Sequence, residues 1–143
     1  MEELNSILAV LRKSWDVEGD PSQLPSQVLA YIGDAFYNLY VRLLVLSSGR
    51  STPVEIHRRT VSQVNAPAQA LLLESLAPGL TAEEALVVRR GRNMRSSRQG
   101  GAPGASYSRS TAFEALVGFL LVSGQHSRLY QVLDAALGNK GGA

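Results

Sequence analysis

The sequence predicts an all-α fold. Three observations carry that prediction. Apolar residues recur at helical spacing in successive segments, those segments are punctuated by helix start and stop signals, and no segment alternates apolar and polar residues as a half-buried strand would. Residues 4–14 place Leu4, Ile7, Leu8 and Leu11 on one helical face. Residues 16–25 read as a linker rich in Asp, Gly, Pro and Ser. Helical periodicity resumes at Pro25, a good first-turn residue, and runs to about Ser47, where Gly49 closes it. Ser51-Thr52-Pro53 opens the next stretch, through Val54, Ile56, Val61 and Val64, with a break at Pro67. A helix through Ala68, Leu71 and Leu72 ends by Pro78-Gly79. Thr81 and Glu84, a hydroxyl and a carboxylate three residues apart, form a capping box that starts a helix carrying Leu86, Val87 and the first arginines. Residues 96–108 give the longest loop signal. A helix from about Ser110 to Val122 then puts Phe113, Leu116, Val117 and Leu120 on one side, and a last helix over about 127–137 packs Leu129, Val132, Leu133 and Ala136. The expected organisation is an extension over 1–24, one domain over 25–138 and a fraying tail over 139–143.

A chain of 143 residues fits one domain, and with 45% apolar and 18% charged residues it has enough to fill a core. Without cysteine it has no disulfide, thiolate metal site or cysteine nucleophile. The acidic start, Met1-Glu2-Glu3-Leu4-Asn5, is unlike the basic opening of a secretory signal, and no apolar run approaches the length needed to span a bilayer. The expectation is a cytoplasmic protein with no membrane partner. Net charge is only +2, but Arg89, Arg90, Arg92, Arg95, Arg98 and Arg109 cluster within residues 85–113, which hold no acid. Such a local cluster points to a polyanion or to plain solvated surface.

Two acids stand in apolar helices. Projected at about 100° per residue, Val28, Ile32, Ala35, Phe36, Leu39 and Leu43 make the main core face of the 25–47 helix, with Asp34 opposite, in line with Asn38. Ala30, Tyr37, Val41 and Val45 flank that far side, so the helix is either central or shared with a second subunit. Asp is a poor mid-helix residue, and Gly33 beside it costs about 1 kcal/mol relative to Ala. A half-buried carboxylate needs a cationic partner or a metal. Glu114 sits among apolar neighbours with small residues, Thr111 and Gly118, on its own face, where another helix can approach closely. One acid in each of two apolar helices is the pattern of a shared metal site, and ion pairing, for instance of Asp34 with Arg42, is the bland alternative. His57 and His126 lack metal-ligand spacing, and no phosphate loop or nucleophile elbow is present.

Four stretches make the sequence resemble the ribonuclease III family, specifically its Mini-ribonuclease III branch. They are Leu29-Ala30-Tyr31-Ile32-Gly33-Asp34-Ala35 with Tyr40-Val41-Arg42; His57-Arg58-Arg59 through Ala68-Gln69-Ala70; Arg89-Arg90-Gly91-Arg92-Asn93; and Tyr107 through Ser110-Thr111-Ala112-Phe113-Glu114-Ala115-Leu116-Val117-Gly118. They occur in family order over roughly 25–135 and leave residues 1–24 outside. The resemblance implies a homodimeric all-α endonuclease that cuts double-stranded RNA with a divalent metal, Mg²⁺, and has no separate RNA-binding domain. It also implies a role in trimming precursor 23S ribosomal RNA. Asp34 and Glu114 match the family's catalytic, metal-holding acids. Arg58, Arg59, Arg89, Arg90, Arg92, Asn93, Arg95, Arg98 and Arg109 are the expected RNA contacts. Full-length relatives carry two further acids where this chain has Ala30 and Thr111, and the Mini branch is similar to this sequence in lacking them. The expected chemistry is metal-assisted phosphodiester hydrolysis. A non-catalytic RNA-binding relative and a helical interaction module with structural ion pairs are the competing readings.

Overall fold

The computed structural model describes residues 17–49, 52–94 and 105–138. Among these, six α-helices follow in order: α1 Ser26–Ser47, α2 Pro53–Val64, α3 Ala66–Leu76, α4 Ala82–Asn93, α5 Ala105–Val122 and α6 His126–Leu133. Short helical turns lie at Pro21–Gln23, Ala77–Gly79 and Asp134–Gly138. The described residues include no strand, and the fold is all-α. The expected helix over 4–14, the tail over 139–143 and most of the 96–108 loop, with Arg95 and Arg98, lie outside the described residues.

Helix starts follow the local chemistry. The Thr81 hydroxyl accepts from Glu84 N–H at 3.2 Å while Glu84 Oε1 accepts from Thr81 N–H at 3.0 Å, the expected capping box. Thr52 and Glu55 make a second box, with Pro53 in the first turn where its missing N–H costs nothing. The chain breaks at Asn65 rather than at Pro67. Asn65 Oδ1 caps α3 by accepting from Ala68 N–H at 2.9 Å, and Pro67 falls inside the first turn. Helix α5 begins at Ala105, earlier than the Gly- and Ser-rich composition suggests, and α6 begins at His126 and passes into a wider turn at Asp134.

Helix α5 is the axis of the bundle, and α1, α3 and α4 pack against it. From Ser110 to Val122 every residue is buried except Glu114, which is half-buried. The expected one-sided burial is corrected: Ala112, Ala115, Phe119 and Leu121 are buried along with Phe113 and Leu116, because neighbours surround the helix. Tyr37 on α1 meets Phe113 edge-on, with ring centroids 4.9 Å apart. Leu129, Val132, Leu133 and Ala136 are all buried, as their spacing predicts.

The core face of α1 is also corrected. Leu29, Gly33, Tyr37, Val41 and Val45, four residues apart, face the core, whereas Val28, Leu39 and Leu43 are about half exposed and Ala35 is exposed. Both faces are apolar, so periodicity could not choose between them; close packing on α5 does. A Cβ on Gly33 would lie 1.8 Å from the Glu114 carbonyl oxygen, and one on Gly118 would lie 1.9 Å from the Leu29 carbonyl oxygen. Only glycine at both positions lets the two backbones touch. In addition, α1 is long and apolar enough, by length and composition alone, to cross a membrane, which corrects the expectation that no segment reaches that length. A third of that apolar stretch is buried in the core of the bundle, and Val28, Tyr31, Leu39 and Leu43 are among the apolar side chains left exposed.

Candidate active site

The Gly33–Gly118 crossing brings the two anomalous acids together. Asp34 follows Gly33 on α1 and is exposed; Glu114 sits one turn before Gly118 on α5. Burial, then the charge of Asp34 and contact with its carboxyl, push the Glu114 carboxyl up to about 8 against a smaller lowering by the Ser110 hydroxyl. Desolvation and the neighbouring like charge both resist ionising Glu114. Asn38 Nδ2 donates to Asp34 Oδ1 at 3.1 Å and to its backbone carbonyl at 3.2 Å, holding that side chain along α1. Ser110 Oγ lies 3.2 Å from Glu114 Oε1 and 2.5 Å from Gln69 Oε1.

Neither acid is ion-paired among the described residues, where the salt bridges are Arg109–Glu74 and Arg128–Glu84. Arg42, the example given for the ion-pair alternative, is exposed and makes no such bridge. Two carboxylates and a hydroxyl are hard oxygen donors, and a divalent cation between the acids would relieve their repulsion. No third His, Cys, Asp or Glu joins them among the described residues. Ala30 and Thr111, one turn before Asp34 and Glu114 on their helices, are buried.

The expected RNA contacts separate into groups. Arg58 on α2 and Arg89, Arg92 and Asn93 on α4 are exposed. Arg59 donates to Ser48 Oγ at 2.8 Å. Arg90 donates to the Ser22 carbonyl at 2.6 Å and ties the segment before α1 onto α4. Arg109 pairs with Glu74 at 2.7 Å across an exposed surface. Two residues near the acids were not singled out as site residues from the sequence. Ser110 is one helical turn before Glu114, a spacing visible in the sequence. Gln69 is 41 positions away, and only the fold brings it there.

Residues 27–125 match the Ribonuclease III domain family. The chain is similar to Mini-ribonuclease 3 of Symbiobacterium thermophilum, 46% identical over 82% of this chain and 91% of that protein. It is similar to Mini-ribonuclease 3 of Brevibacillus brevis at 40% over 82% and 88%, and of Enterococcus faecalis at 37% over 80% and 89%. The chain belongs to the ribonuclease III family. Its relatives place it in the Mini-ribonuclease III branch, and it is an endoribonuclease of that class. The fold agrees: a crystal structure of a Fusobacterium nucleatum protein superimposes with a TM-score of 0.71 at 21% identity, over 82% of this chain and 95% of that one. Asp34, Glu114, Ser110 and Gln69 all lie within the matched Ribonuclease III span.

Proposed function

We propose that this Mini-ribonuclease III cuts double-stranded RNA at the paired acids Asp34 and Glu114, as a cytoplasmic homodimer that trims precursor 23S ribosomal RNA. The observation that carries the reading is the juxtaposition of two carboxylates with no cation on either among the described residues. A helix crossing that sets two acids against each other lowers stability unless something else uses them. Asp34 and Glu114 would hold Mg²⁺, which when bound acidifies a water and offsets charge on the scissile phosphate. Asn38 fixes the Asp34 side chain, and Ser110 touches Glu114 from within α5. Arg58, Arg89 and Arg92 are free to meet phosphates, and A-form RNA would be read by shape across its minor groove.

The dimer is supported by the outer face of α1. Val28, Leu39 and Leu43 are 45%, 56% and 55% exposed, and Tyr31 is 78% exposed. A stripe of large apolar side chains left on one face of a core helix is the composition of a subunit seam. The ribosomal RNA substrate follows from the family resemblance of the sequence motifs alone, since the relatives' names specify a ribonuclease and no substrate. Incubation with a plain RNA duplex, with and without Mg²⁺, tests the activity: Mg²⁺-dependent strand cleavage is expected, and binding without cleavage would contradict it.

A further inference from the structure

A polar chain behind Glu114 is left over from the two-carboxylate site. Gln69 on α3 is 1% exposed and Ser110 on α5 is 6% exposed. The Ser110 hydroxyl lies within hydrogen-bonding distance of both Gln69 Oε1 and Glu114 Oε1, yet it carries one proton and cannot donate to both oxygens at once. The other end of the amide, Gln69 Nε2, is buried with no hydrogen-bond partner among the described residues. A sealed amide with an idle donor is costly, and an apolar residue of the same size would avoid that cost. Rotating the amide by half a turn settles the first conflict and leaves the amide oxygen, rather than the N–H₂, as the end without a partner. Nε2 then donates to Ser110 Oγ, and the hydroxyl proton is released to Glu114 Oε1. No third acid among the described residues steadies the pair, and Ala30 and Thr111 carry no carboxylate.

We propose that Gln69 and Ser110 are positioning residues: the Gln69 amide, sealed beneath α5, aims the Ser110 hydroxyl at Glu114 and holds that carboxylate toward Asp34 to receive the divalent cation. The inference rests on Asp34 and Glu114 being the metal-holding pair. Neither positioning residue touches RNA. Their effect is on how tightly the metal-free protein takes up the cation and on kcat, with little on KM for the duplex. Partners of this kind contribute about 10-fold in metal affinity or activity.

The test is titration of the metal-free protein with Mn²⁺, followed by its electron paramagnetic resonance signal, for wild type, Asp34→Asn, Ser110→Ala, Ser110→Thr and Gln69→Leu, each checked for folding by its Tm. Expected are strong uptake by wild type, loss in Asp34→Asn, about 10-fold weaker uptake in Ser110→Ala and Gln69→Leu, and recovery in Ser110→Thr. Gln69→Leu should melt close to wild type, since it removes the amide's unpartnered end along with its hydrogen bond to Ser110, while its kcat falls and KM holds. Wild-type uptake by Ser110→Ala and Gln69→Leu, with Asp34→Asn defective, overturns this proposal and leaves the metal site standing. Wild type that takes up no Mn²⁺, or Asp34→Asn that takes up as much as wild type, overturns both. Were Ser110→Ala unfolded, Gln69→Leu alone decides.

Discussion

Glu114 holds a proton that an ordinary glutamate would have released. Its carboxyl is pushed from 4.5 to about 8 by burial and by Asp34. The metal-free folded state therefore binds more protons than the unfolded chain between those values, and stability falls as pH rises through that window. Glu114→Gln removes the ionisation. It should stabilise the metal-free protein at pH 8 by about 1 kcal/mol, after discounting for the solvent-facing edge of the site, while abolishing cleavage. Thermal melts with and without chelator check this. The opposite behaviour belongs to Glu84. Burial would raise its carboxyl, but hydrogen bonds from Arg128 and Thr81 together with the Arg128 charge hold it below 4.5. That contribution is complete above 4.5 and is lost as pH falls through the lower folded value. Arg128 also donates to the Gly79 carbonyl, so Arg128→Ala strands a buried carboxylate and should cost about 3 kcal/mol, read by urea unfolding at pH 7.

At the scale of elements, the site depends on one helix crossing. Gly33→Ala would drive a methyl into the Glu114 carbonyl, part α1 from α5 and separate the acids. The expected loss is about 3 kcal/mol of stability together with cleavage, measured by denaturation and an RNA assay. The crossing also explains which parts of the fold were legible in the sequence. The Thr81–Glu84 capping box, the α1 boundaries and the buried face of α6 follow from local chemistry, and the sequence carries them openly. The direction in which α1 faces does not. Its two sides are comparably apolar, and the deciding residue, Gly33, has no side chain to register in a hydrophobic pattern. The Gly118 signal next to Glu114 was readable, because small residues invite a neighbour. The link from Gln69 to Ser110 was not, since it joins two helices through a long-range contact that no periodicity encodes. Among the expected arginines, Arg90 and Arg109 have partners within the fold, a distinction charge counting cannot make.

At the scale of the whole molecule, an exposed apolar face on α1 and exposed arginines on α2 and α4 accompany one acidic centre. A charge on the outer α1 face, as in Leu39→Glu, should dissociate the proposed dimer while sparing the buried stripe, and sedimentation would register a monomer. Binding to RNA should weaken steeply with salt, and Arg89→Ala with Arg92→Ala should flatten that dependence by about one phosphate contact each. The central claim is that the two carboxylates perform the cleavage rather than stabilise the fold. The most direct measurement is the cleavage rate of a plain RNA duplex in Mg²⁺ by Asp34→Asn, with oligomeric state and RNA affinity measured on the same sample. A loss of about 1,000-fold or more with dimer and affinity intact is expected, by analogy with removal of a key electrostatic group. Cleavage at the wild-type rate would contradict the account.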